Sequence, residues 1–92
     1  MNFFVIAVVV THNRKKLLAE CLSALARQSR PPDRVVVVDN ASTDGTGEML
    51  TNGGWVRSPS NVLISLKNNL GGAGGFSRGL EVAVDLGGDW MW

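Results

Sequence analysis

Two apolar runs restrict the fold of this chain more than any other feature: "FFVIAVVV" at residues 3–10 and "VVVV" at residues 35–38. Unbroken blocks of β-branched residues suit strands covered on both faces, because polar alternation is needed only where one face meets water. Between the runs, residues 14–29 place Leu17, Leu18, Cys21, Leu22 and Leu25 at three- and four-residue spacings. Lys15, Lys16, Glu20 and Arg27 fall largely elsewhere, so the segment predicts an amphipathic helix. "RPPD" then ends it, since proline cannot continue a helix and disfavours helical geometry in the residue before it. Further on, "ASTDGTGEML" offers a cap and a short helix, "NVLISLK" at residues 61–67 a third strand, and residues 73–86 another helix. "TNGGWVRSPS" at residues 51–60 reads as a surface loop, with Trp55 either packed down or exposed. A fourth strand starts in "GGDWMW" at residues 87–92. The alternation predicts an α/β fold: a Rossmann-like parallel sheet in strand order 3-2-1-4, joined by right-handed crossovers, with helices on both faces.

A chain of 92 residues, 45% hydrophobic, holds one small core and no second domain. Nine basic residues against eight acidic ones leave a net charge of +1, without the electrostatic footprint that binding to nucleic acid requires. Cys21 is the sole cysteine, which excludes an internal disulfide and a cysteine zinc cluster and fits a reducing compartment; its expected place is a small core position on the helix. The run at residues 3–10 is too short to span a bilayer and has no basic segment before it. The expected location is cytoplasmic, at the cytoplasmic face of the membrane in a full-length form.

In parallel α/β sheets ligands bind beyond the carboxyl ends of the strands. Asp39 ends the second strand there, beside the turn after strand one that carries Thr11, His12, Asn13 and Arg14. Two roles stay open for Asp39: a ligand contact, or a cap on the turn that follows. Asp44 reads as a cap for the next helix, shared with Ser42 or Thr43, a task asparagine also performs. "NNLGGAGGFSRG" at residues 68–79 follows a strand and opens a helix, where N–H groups and the helix dipole suit a phosphate. It fails the dinucleotide fingerprint, because a run begun at Gly72 requires glycine at Gly74 and again at position 77, which is Ser77. There is no Walker lysine motif either. The glycines could instead allow a sharp turn and close helix packing, while Arg78 adds a fork of donors. His12, without an evident nucleophile or metal set, reads as a loop residue.

Taken together, "VVVTHNR" at residues 8–14, "VVVVDNASTDGT" at residues 35–46 and "NNLGGAGGFSRG" resemble the start of the nucleotide-sugar-dependent glycosyltransferases of family 2, which have the GT-A fold. The likeness covers most of the chain, and "GGAGGFSRG" is most similar to enzymes handling galactofuranose or rhamnose donors. It implies that residues 1–92 are the amino-terminal nucleotide-sugar-binding part of such a domain. It further implies that Thr11, Asn13 and Arg14 line the nucleotide pocket, that Asp39 contacts the base, that Asn69 and Gly71 form a wall, and that Arg78 reaches the base or diphosphate. An ionised aspartate suits the imide N–H of uracil or thymine, which cytosine lacks, so the donor is expected to be a UDP- or dTDP-sugar; guanine also offers donors and stays open.

Members of this family coordinate a divalent metal, Mg or Mn, through a short acidic motif at the end of the fourth strand, and use a later carboxylate as general base. Neither stands in these 92 residues, and Asp89 is a solitary turn acid. The expectation is therefore a fragment of an inverting glycosyltransferase that builds a glycan or cell-wall polysaccharide on a glycan or lipid-linked acceptor, the fragment itself binding donor without turning over. The rivals are a non-catalytic α/β nucleotide-binding module complete in itself and, more remotely, a structural-interaction role.

Overall fold

In the computed structural model, which describes residues 4–88 and the backbone of residues 90 and 91, Val36, Val37 and Val38 are each 0% exposed. Both faces of their strand are covered, which is why the run needs no alternation. The elements follow as β1 (Val5–Thr11), α1 (Lys15–Ala26), β2 (Arg34–Asn40), α2 (Thr46–Asn52), a 3-10 turn (Trp55–Arg57), β3 (Asn61–Leu66), α3 (Gly71–Asp85) and β4 (Trp90–Met91). The sheet order is β3-β2-β1-β4, and every neighbouring pair is parallel, as the alternating pattern predicts. β2 is longer than the valine run and takes in Asp39 and Asn40, while α3 begins inside the glycine-rich stretch. The expectation for Asp89 lies outside the described residues.

Alternate residues of each strand feed two cores. Ile6, Val8, Val36 and Val38 pack with Ala83 of α3, joined by Val10, Ile64 and Leu66. On the opposite face Val37 packs with Leu18 of α1 and Leu50 of α2, joined by Leu22, Leu63 and Trp55. Trp55 thus packs down, and a 3-10 turn stands where the sequence reads as irregular loop.

Cys21 departs from expectation, being exposed. The inward stripe of α1 runs through Leu18, Leu22 and Leu25, which are buried or half-buried, while Leu17 and Cys21 lie one position out of phase. Those two are left uncovered beside a strand whose pairing with β4, among the described residues, reaches Val5 and Ile6.

At the opposite, amino-terminal edge of the sheet, Asp33 accepts the Val5 N–H at 2.7 Å and faces Arg30 at 3.3 Å. That main-chain bond holds the Asp33 carboxyl below its ordinary value against the opposing effect of burial, with Arg30 adding to it. Among the described residues no helix is long and apolar enough to cross a membrane.

Candidate functional site

The carboxyl ends of β1 and β2 set Thr11 and Asp39 side by side in register, with Ser65 of β3 next in line. All three share the strand parity of Val37 and so belong to the α1/α2 face. Thr11 and Asp39 are each 6% exposed. Asp39 Oδ1 accepts the Ser42 N–H, three residues on, at 3.1 Å, a cap on the turn of the kind the capping reading expects. Among the described residues nothing bonds Asp39 Oδ2 or Thr11 Oγ1, yet no fully buried side-chain oxygen or nitrogen lacks a partner. Both atoms therefore keep some contact with solvent, and Asp39 Oδ2 lies against the first turn of α2, 3.7 Å from where a Cβ on Gly47 would stand. Asp39 caps a turn with one oxygen, and the other has no hydrogen-bond partner among the described residues.

The loop after β1 and the turn after β2 are laced together. Asn13 N–H donates to Ser42 Oγ at 2.9 Å, and Asn13 Oδ1 accepts the Thr43 N–H at 2.6 Å. His12 Nδ1–H donates to the Asn40 carbonyl at 2.7 Å, and the Asn13 amide approaches His12 Nε2 at 3.3 Å. Asp44 joins two helix starts: one oxygen accepts Lys15 N–H at 3.0 Å and the other accepts Thr46 N–H at 3.1 Å, with the Thr46 hydroxyl bonded as well. The hydroxyl bond does most to hold the Asp44 carboxyl below its ordinary value, against the effect of burial. Asp44 is therefore a cap, as its position suggests, but for α1 as well as α2. Ser42 and Thr43 do not share that task; they face Asn13. Asparagine could serve one of the two helix starts and would turn its amide toward the other. Two non-glycine residues with positive φ, Asn13 (50°) and Ala41 (61°), lie in these same loops, the sort of backbone cost that accumulates at functional sites.

A crevice of about 660 Å³ opens beyond the end of β1, between α1 and the start of α3. Thr11, Arg14, Asn69 and Gly71 line it together, with His12 and, from the helix side, Leu17, Leu18 and Cys21. It lies where the strand order reverses, on the carboxyl side of the sheet, the usual ligand position for this architecture. Asp39 is one strand away, about 5 Å by strand spacing, and the Asn13 side chain is engaged in lacing the loops. Arg78 is not brought to the crevice lining: it lies further along α3, paired with Glu81 at 3.3 Å, both side chains more than half exposed. Sequence reasoning missed Asn40 and the apolar α1 wall. Asn40 carried one usable signal, since it follows Asp39 on a strand and must face the other way.

The glycine-rich stretch divides between two jobs. Gly71 has φ +75° and begins α3, its N–H held by Asn69 Oδ1 at 2.8 Å. Gly75 and Gly79 are buried against the sheet, where a Cβ on Gly79 would stand 2.5 Å from Val8 Cγ1. Close helix packing is thus a large part of what these glycines do. No three His, Cys, Asp or Glu side chains among the described residues come together as a metal set.

A family model described as Glycosyl transferase family 2 matches residues 6–92. The chain belongs to glycosyl transferase family 2. It is 48% identical over 88 residues to the galactofuranosyltransferase GlfT1 of Mycolicibacterium smegmatis, a match covering 96% of this chain and 28% of that relative. It is 43% identical over 93 residues to the galactofuranosyltransferase GlfT1 of Mycobacterium tuberculosis, covering 100% of this chain and 30% of the relative. Among solved structures, the mannosyltransferase PcManGT from Pyrobaculum calidifontis in complex with GDP-Man and Mn2+ matches with a TM-score of 0.71 and 30% identity. That likeness covers 94% of this chain and 25% of the other. The sheet and its flanking helices are thus those of the GT-A fold, and the chain spans less than a third of the length of these relatives.

Proposed function

We propose that residues 1–92 form the donor-nucleotide-binding part of an inverting glycosyltransferase that moves a sugar from a nucleoside diphosphate to a glycan or lipid-linked acceptor. The observation that carries this reading is the crevice beyond the end of β1, which brings Thr11, Arg14, Asn69 and Gly71 together, with Asp39 paired to Thr11 on the neighbouring strand. In this reading Asp39 accepts the imide N–H of uracil or thymine, Thr11 and Asn69 border the nucleoside, and Arg14 at the start of α1 faces the diphosphate. The backbone of Gly71 lets the ligand approach the turn. Arg78 joins by leaving Glu81; an exposed i,i+3 pair holds it by less than about 1 kcal/mol, and its side chain leans toward the amino end of α3. The named relatives are galactofuranosyltransferases, which supports a hexofuranosyl donor of this kind. It also favours transfer over a self-contained binding module.

The residues described here do not fit the Mg or Mn expected of the full-length enzyme, because no acidic set comes together among them. What this chain's own residues do is bind and orient the nucleotide.

Titrating UDP, dTDP and CDP into the chain by calorimetry, with Asp39→Asn beside the wild type, tests the base-reading role. Loss of a charge-assisted hydrogen bond is worth about 1.5–3 kcal/mol, or one to two decades in affinity. UDP and dTDP should bind, CDP more weakly, and Asp39→Asn should lose most of the difference. Equal binding of CDP and UDP would remove Asp39 from base recognition.

A further inference from the structure

Asn40 is 2% exposed and sits at the last position of β2. Its Oδ1 accepts the Leu70 N–H at 2.8 Å, and its Nδ2 donates to the Gly71 carbonyl at 2.9 Å. Its own carbonyl takes the His12 Nδ1–H. One residue thus fastens both walls of the crevice: the loop after β1 through its main chain, and the turn that opens α3 through its side chain. The amide orientation is fixed, because an acceptor faces an N–H and a donor faces a C=O. Space around it is closed as well, since a Cβ on Gly75 would lie 3.2 Å from Asn40 Nδ2. Aspartate would set an oxygen against the Gly71 carbonyl, and alanine would leave both backbone groups of the turn without this partner.

We propose that Asn40 is a positioning residue for the donor site, one that fixes the width of the crevice by holding the Asn69–Gly71 turn to the end of β2. The proposal rests on the reading of the crevice as a nucleotide site. The side chain acts through the turn: when the turn leaves its place, the fraction of molecules able to bind falls, and apparent affinity falls with that fraction.

The test measures UDP affinity and amide hydrogen exchange in the full chain for wild type, Asn40→Ala, Asn40→Asp and Leu50→Ala. Leu50 is a core residue of the other face, so its variant loses stability without touching the turn. Asn40→Ala should speed exchange at Leu70 and weaken UDP binding about tenfold, the factor expected if the turn is in place about a tenth of the time. Asn40→Asp keeps the size and one acceptor; it should weaken binding while leaving the Leu70 amide protected, and it carries the test if the alanine variant does not fold. Leu50→Ala should not single out the Leu70 amide for faster exchange, because packing on that face does not set the turn. Asn40 variants that bind like wild type, or a Leu50 variant that speeds exchange at Leu70 as selectively as Asn40→Ala, would overturn the positioning role. Should wild type bind neither UDP nor dTDP, the nucleotide reading falls. The exchange data then decide alone: acceleration confined to residues 69–72 supports the clamp, and acceleration spread over the whole chain overturns it.

Discussion

The two faces of the sheet are built on opposite plans. Against α1 and α2 the space is filled by large side chains, Leu18, Leu50 and Trp55. Against α3 it is closed by their absence: Gly75, Gly79 and Ala83 form the buried stripe, and the helix lies directly on Val8, Val10 and Val38. The contrast sets up the site. Close approach of α3 brings Leu70 and Gly71 within reach of Asn40, whereas bulk on the α1 side leaves room at the strand ends for a crevice. Adjacent residues of β2 divide accordingly, Asp39 capping the turn after the strand on one face and Asn40 locking the α3 turn on the other.

The largest effect should come from removing bulk where bulk does the filling. Leu50→Ala, at a position 2% exposed, is expected to cost about 2–5 kcal/mol in denaturant unfolding, the loss of transfer free energy plus the cavity left behind. A loss below about 1 kcal/mol would mean that this face collapses readily and is not held by large side chains.

Adding bulk to the other face should come next. Gly79→Ala puts a methyl 2.5 Å from Val8 Cγ1 and 2.9 Å from Val38 Cγ2. Valine is stiff at χ1, so neither neighbour can swing away cheaply. The expected cost is about 1–3 kcal/mol, net of the roughly 1 kcal/mol by which alanine favours a helix interior over glycine. If the variant is more stable than wild type, α3 does not lie on the sheet as described.

Much of this was legible beforehand. The valine blocks gave the buried strands, and the strand–helix alternation gave a parallel sheet with β1 at the point where the order reverses. Less visible was anything that depended on a distant partner. The apolar stripe of α1 is wide, and whether Cys21 or Leu22 turns inward depends on which side of β1 is left open. Asp44 reads as a local cap because Thr46 is two residues away, but its second partner, Lys15, is 29 residues upstream. Asn40 looks like one more small polar turn residue until strand parity directs it toward the glycine turn. Arg78 sits on a helix that starts two residues before the predicted position 73, and its ion-pair partner Glu81 lies three residues on, on the same exposed face.

The smallest effect sharpens the comparison most, because it separates glycines that look identical in the sequence. Gly72 belongs to the same run as Gly75 and Gly79, yet it is exposed, and a Cβ built on it meets nothing within 4 Å. No packing demand keeps glycine there, and its φ lies outside the left-handed range. Gly72→Ala should therefore stabilise the chain by about 0.5–1 kcal/mol, chiefly by restricting the unfolded state. In a domain of this size that corresponds to a rise in melting temperature of roughly 2–8 °C. Gly72 also lines the crevice, so a melting curve measured with and without UDP is the sensitive form of the experiment. A rise in the free chain that shrinks when UDP is added would assign this glycine to ligand approach. A rise preserved with UDP would make it dispensable for binding. A fall in the free chain would contradict a packing constraint that begins only at Gly74, where a Cβ would stand 2.8 Å from Leu70 Cβ.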